Sequence, residues 1–327
     1  MQISEVQVSE NYQRALQGYR VQKAEPCSGG MLLSSENETG TGSMRCYDVF
    51  PGVLLVYNQF EMASGFQNVE PVSGFLHINH CRRGCYELQL KGGSRCYIGE
   101  GDLAVSDPEV LIIVDSRFPT HRYEGISVMI EVDPASQWLK EHVTWADIDL
   151  HTIKENMQSC KDALLLRTNS SIGHIFDELY RVEERVRHPY MIVKIIELLL
   201  FLSLAVEEKR EALPRFSPSV ADAVMQVHEY LSDNPLSHLT ISELAAKFHV
   251  AETSLRCCFK AIYGQTLGSI NIDGSHLNIE AGNDFEREFA YDTHVIFWQD
   301  IPDEQASGKA WVYSLVSQTA DSFYGKF

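Results

Sequence analysis

Several patterns are missing from this 327-residue chain, and each absence removes a class of function. None of its eight cysteines (Cys27, Cys46, Cys81, Cys85, Cys96, Cys160, Cys257 and Cys258) forms a CxxC pair, which argues against a zinc ribbon or a thioredoxin-like dithiol. They read as reduced thiols. No phosphate-cradling P-loop, dinucleotide fingerprint or GxSxG elbow occurs, so no cofactor is expected and the chain does not read as an enzyme. Positive charge is scarce: 27 Lys and Arg stand against 45 Asp and Glu, a net charge of −18. Such a chain does not coat nucleic acid or an anionic membrane by bulk charge, and any such contact must be local. The first residues, MQISEVQVSENYQR, lack a basic stretch followed by an apolar run, so no secretory signal is read and a cytoplasmic protein is expected.

What is present is enough to build cores. Apolar residues make up 44% of the chain and aromatic residues 10%, values of a folded globular protein, and 327 residues are enough for two or three domains. Between Val49 and Ile130 short apolar runs (VLLVYNQF, FLHINHC, CYELQL, RCYIG, DLAVSD, VLIIVD and ISVMIEVD) are separated by glycine and charged pairs. Their length and Val, Ile, Tyr and Phe content predict strands of an antiparallel barrel or sandwich. CYELQL and SRCYIG, joined through Gly92 and Gly93, read as a hairpin with both glycines at positive φ.

Past Asp133 the period becomes helical. The stretch from Gly173 to Arg185 places Ile175, Phe176, Leu179 and Val182 on one stripe. Tyr190–Val206 (YMIVKIIELLLFLSLAV) is the most apolar run, but Lys194 and Glu197 interrupt it and it is barely long enough to cross a bilayer. It reads as a buried or dimerising helix, with no membrane partner expected. Glu207–Pro218, charged and with two prolines, reads as a linker. A metal site is not expected either: His77, His80, His121 and Glu131 lie in or near the strands, but histidines three apart on a strand face opposite ways. The Phe118–Glu124 loop places Arg117, His121 and Arg122 at the barrel mouth as candidate effector contacts, with a solvated loop as the plainer reading.

The most specific pattern begins at Thr240. Thr240-Ile-Ser-Glu243 is a capping box, followed by a short alanine-rich helix, a break at His249-Val-Ala251 and a second helix closed by Gly264. Two short helices joined this way form a helix-turn-helix whose second member offers its polar face to base edges. The candidate DNA-binding residues are Thr240, Glu252, Thr253, Ser254, Arg256, Cys257 and Lys260. In residues 215–270 four basic side chains stand against five acidic ones, a balance of −1, the least acidic part of the chain.

The sequence LTISELAAKFHVAETSLRCCFKAIYGQTL (Leu239–Leu267) resembles the first helix-turn-helix of the AraC/XylS family of transcription regulators. It matches that family's pattern at Leu239, Thr240, Glu243, Leu244, Ala245, Leu255, Phe259, Lys260 and Gly264. The resemblance, covering most of residues 45–268, implies an α+β protein. A cupin-like sensing β-barrel (1–135) is expected ahead of a helical linker and dimerisation region (136–214) and an all-α helix-turn-helix subdomain (215–270). It implies a sequence-specific DNA-binding regulator that responds to a small-molecule effector, working as a homodimer through the Tyr190–Val206 helix. Two departures accompany it. Alanine stands at 251, where the family carries a capping serine. After Gly268 no second helix-turn-helix follows, but an acidic, β-leaning tail (271–327) with ten acidic and three basic residues. Weak DNA binding is therefore expected, and the alternative is an interaction protein that dimerises with or titrates intact regulators. A cupin enzyme ranks last.

Overall fold

The computed structural model describes residues 21–67, 73–160, 163–167, 170–205, 211–234 and 239–267. The expected 271–327 tail lies outside these residues. Among the described residues the fold is α+β, with a cupin-like strand half followed by helices, as the sequence led us to expect.

Two antiparallel sheets carry the strand half. The larger runs in the order β1 (Lys23–Cys27), β2 (Gly30–Asn37), β3 (Gly40–Phe50), β4 (Val53–Glu61), β11 (Tyr123–Glu131), β6 (Phe75–Gly84), β9 (Asp102–Ser106), β12 (Leu164–Arg167), β13 (Glu211–Ala212). The smaller runs β5 (Ser64–Gln67), β10 (Ile113–Arg117), β7 (Tyr86–Leu90), β8 (Arg95–Ile98). Period-two alternation sorts the central strands between two cores. Leu54, Val56, Phe60 and Met129 pack inward against Leu88 and Ile98 of the smaller sheet and Phe118 just past its β10 strand. Leu55, Leu76, Ile78, Ile126, Val128 and Ile130 face the helices instead. A strand covered on both faces must be apolar at consecutive positions, which is why these segments read as unbroken runs such as VLLV.

The helical layer consists of α1 (Val132–His142), α2 (Leu150–Cys160), α3 (Ser170–Arg181) and α4 (Arg187–Ala205). Phe176, Leu179, Met191, Ile195, Leu198, Leu199 and Leu202 are its buried anchors on the sheet. The last unit holds α5 (Pro218–Asp233), α6 (Ile241–Lys247) and α7 (Glu252–Tyr263) around Val224, Val227, Leu244, Leu255, Phe259 and Ile262. No helix among the described residues is long and apolar enough to cross a membrane.

Four expectations need correction. Strands begin at Lys23 rather than Val49; Gly29 and Gly40, both at positive φ, supply the turns on either side of β2. The helical region from 136 to 214 contains β12, whose Leu164–Arg167 pair with Asp102–Val105 and complete the sheet edge. The segment proposed as a free linker is tied down in its described part: Glu211 and Ala212 pair with β12, Leu213 is buried, and Phe216 exchanges backbone hydrogen bonds with Arg95. In the β7–β8 hairpin only Gly93 has positive φ.

Candidate nucleic-acid interface

Local chemistry fixes both short helices. At the start of α6, Thr240 Oγ1 accepts from the Glu243 amide at 3.2 Å and Glu243 returns a carboxylate oxygen to the Thr240 amide at 2.7 Å. The Thr240 backbone bond, and then its hydroxyl, hold the Glu243 carboxyl below its usual range. The turn passes through His249 at φ 54, an uncommon conformation for a non-glycine residue. Helix α7 begins at Ala251, which offers no capping side chain, and closes on Gly264 in the left-handed region.

The apolar face of α7 (Leu255, Cys258, Phe259 and Ile262) is buried. The opposite stripe, Thr253, Arg256, Cys257 and Lys260, recurs at i, i+3, i+4 and i+7 and is exposed. Glu252 and Ser254 flank it half-buried, and Thr240 is exposed at the start of α6. Six of the seven predicted residues thus share one helix, and Thr240 stands apart from them. Arg256 is held by Glu252 at 2.7 Å along the helix, while Lys260 makes no ion pair among the described residues. Exposed i,i+4 pairs contribute only a few tenths of a kcal/mol, so this pair constrains Arg256 little.

The predicted effector residues lie at the end of β10 and on the loop that follows it. Arg117, at the end of β10, lies 3.5 Å from Asp115; His121 occupies a positive-φ turn, its amide donating to Phe118; the Arg122 carbonyl accepts from the Thr120 hydroxyl. The His121 and Arg122 side chains are exposed. His77 and His80 do face opposite ways. His77 joins a polar chain through Asn79, Ser127 and Asn58, whereas His80 stacks on Phe176 of the helical layer at 4.0 Å.

One feature of this region was not foreseen. The helix-turn-helix docks on the strand half, with Cys85 and Tyr97 completing its core and the Cys85 thiol contacting the Ala261 carbonyl at 3.8 Å. At the seam Arg95 bonds Asp222 of α5 at 2.7 Å and lies 3.6 Å from Glu87, a carboxylate only 1% exposed. Burial raises the Glu87 carboxyl above its ordinary range, and Arg95 partly opposes this. Burial also pushes the Cys258 thiol up to about 12, so it remains a thiol in the core. Nothing in the spacing of Glu87, Arg95 and Asp222 along the chain signals that they meet.

No family model matches the chain, and no curated protein does. Among solved structures it is similar to the AraC-like transcriptional activator CuxR (11% identity, TM-score 0.33), covering 73% of this chain and 83% of that one. It is also similar to ToxT from Vibrio cholerae O395 (11% identity, TM-score 0.31), covering 67% of this chain and 78% of that one. A third likeness is to ectoine synthase from P. lautus, at 11% identity and TM-score 0.24, over 36% of this chain and 78% of that one.

Proposed function

We propose that the chain is a DNA-binding transcription regulator of AraC type that reads a duplex groove with α7 and senses a small molecule with its strand half. The observation that carries this reading is the exposed stripe of α7, laid out at helical spacing over a buried apolar face. Arg256 and Lys260 supply the cationic contacts, Thr253, Ser254, Glu252 and Cys257 face the bases, and Thr240 reaches a phosphate from the start of α6. With two cations on the stripe, one copy binds unselected duplex only at about 10⁻⁴–10⁻⁶ M.

The test is selection of bound sequences from a random duplex library by the full chain, followed by salt titration of the enriched site. Enrichment of a defined sequence is expected. Arg256→Ala should relax the preference at one position, and Lys260→Ala should weaken all sequences alike and lower the salt slope by about 1. Binding that ignores both substitutions overturns the reading.

A second reading, an interaction protein that pairs with related chains, has its own support. On α4, Val193 and Leu204 are 59% and 64% exposed, large apolar side chains on the outer face of a helix whose inner face is already packed. In the regulator reading the same face joins two copies and brings a second α7 to the duplex. Sedimentation of the full chain and of Val193→Asp separates the cases: a dimer that binds no selected duplex favours the second reading.

A further inference from the structure

On the face of the large sheet that carries the helices, the register sets Arg45 beside Tyr57, and Glu124 beside Gln59. The end of α3 and the start of α4 stand opposite, and between them lies a cleft of about 170 Å³. Strand alternation brings Arg45, Tyr47, Tyr57 and Glu124 to its floor, with Tyr180 and Arg187 from the helical side.

Charge is the first argument. In a chain of net charge −18, this cleft gathers two guanidiniums, Arg45 and Arg187, that make no ion pair among the described residues. Its carboxylate, Glu124, is already held by Arg82 at 2.7 Å. Among the described residues the partner of Arg187 is the neutral Tyr47, its hydroxyl at 3.3 Å.

The wall is the second. Tyr57 meets Tyr47 and Tyr180 edge to face, with ring centroids 5.8 and 5.7 Å away. The Tyr57 hydroxyl is spent on the Leu179 carbonyl at 2.8 Å, which fixes that ring in place. Among the described residues the buried Tyr180 hydroxyl has no hydrogen-bond partner, and burial keeps it protonated as a donor. An orphaned donor in a packed protein is costly unless something accepts from it.

We infer that this cleft binds a compact organic dianion, a dicarboxylate or a phosphomonoester, with Arg45 and Arg187 on the acid groups and the tyrosines around a short body. Guanidinium forks match both carboxylate and phosphate, and two of them balance two negative charges. A water-sized group occupies about 10–15 Å³, so the cleft holds roughly a dozen and suits a compact ligand. The occupant ties β3 to the start of α4, the helix that presents Val193 and Leu204. This deepens the regulator reading and rests on it for its biological role, but the binding needs no DNA. Arg117, His121 and Arg122 do not line the cleft.

The test is calorimetric titration of the full chain with malate and with glycerol phosphate at constant ionic strength, glycerol serving as the neutral control. Saturable single-site binding of at least one anion and none of glycerol is expected, and the preferred anion identifies the acid group. Arg45→Gln and Arg187→Gln should each weaken it about tenfold or more, and Tyr180→Phe should weaken it with its ring retained. Arg117→Gln should leave it unchanged. Circular dichroism establishes that each variant is folded. Failure of both anions to bind the folded native chain, or binding indifferent to both arginine substitutions, overturns the proposal. Anion binding without selection of any duplex sinks the regulator reading and leaves the cleft standing; duplex selection without anion binding does the reverse.

Discussion

The strand half and the helix-turn-helix solve the same burial problem on different scales. The large sheet is sandwiched between two extensive cores of its own, and it tolerates a chain of polar side chains, Asn58, Ser127, Asn79 and His77, within one of them. The helix-turn-helix has a small core and completes it with Cys85 and Tyr97 from the strands. A unit that borrows part of its core cannot move freely from its neighbour, so the seam through Tyr97, Arg95 and Asp222 links the strand half to the pose of α7. The Glu87 carboxylate beneath that seam, buried against Arg95, makes the docking a matter of charge as well as of packing.

The sharpest way to break this comparison is to remove the centre of the smaller core. Phe259 is fully buried, and Phe259→Ala should cost about 3–5 kcal/mol. Hydrogen exchange should show residues 218–263 losing protection while β4, β6 and β11 keep theirs. Loss of protection in all of them together would mean that the two regions fold as one.

A somewhat smaller effect belongs to the strand half alone. Burial lowers the pKa of both His77 and His80 to about 4. Unfolded histidine takes up its proton near 6.5, so stability is fully present above that pH and drains as pH falls from about 6.5 towards about 4. The loss for His80, 7% exposed, is about 3 kcal/mol at the lower end of that window. His80→Phe preserves a ring on Phe176 and should flatten the acid limb of a denaturant-midpoint against pH curve. An unchanged acid limb would show that other groups carry it.

The mildest test acts on the helix starts. α6 has a complete capping box and α7 has none, so Ala251→Ser should stabilise the helix-turn-helix by about 1 kcal/mol. Equilibrium denaturation followed by helical signal measures it. No gain would mean that the Ala251 backbone cannot offer a serine hydroxyl to the first turn.

Much of this was legible along the chain because the signals are local. The capping box, the burial of Leu255, Phe259 and Ile262 at helical spacing, and the Gly264 stop all depend on neighbours within a few residues. Strands buried on both faces were recognised as apolar runs. The early strands were missed because Gly30–Asn37 and Gly40–Phe50 mix serine, glycine and charge with few apolar residues. The alternation of Arg45 and Tyr47 was the trace that a period-two search of that stretch would have found. β12 was missed because four residues between helices carry no pattern of their own.

By itself the sequence determined the elements and their faces: which stripe of α7 is apolar, where α6 begins, and which strands run through a core. Only the tertiary structure decided that Arg45 and Arg187, 142 residues apart, share a cleft, and that Arg95 meets Asp222. The reason lies in range. Capping and amphipathic periodicity act over a few residues and are written in spacing, whereas two cations settle near each other only because strand register and helix packing, held by dozens of apolar contacts elsewhere, outweigh their mutual repulsion.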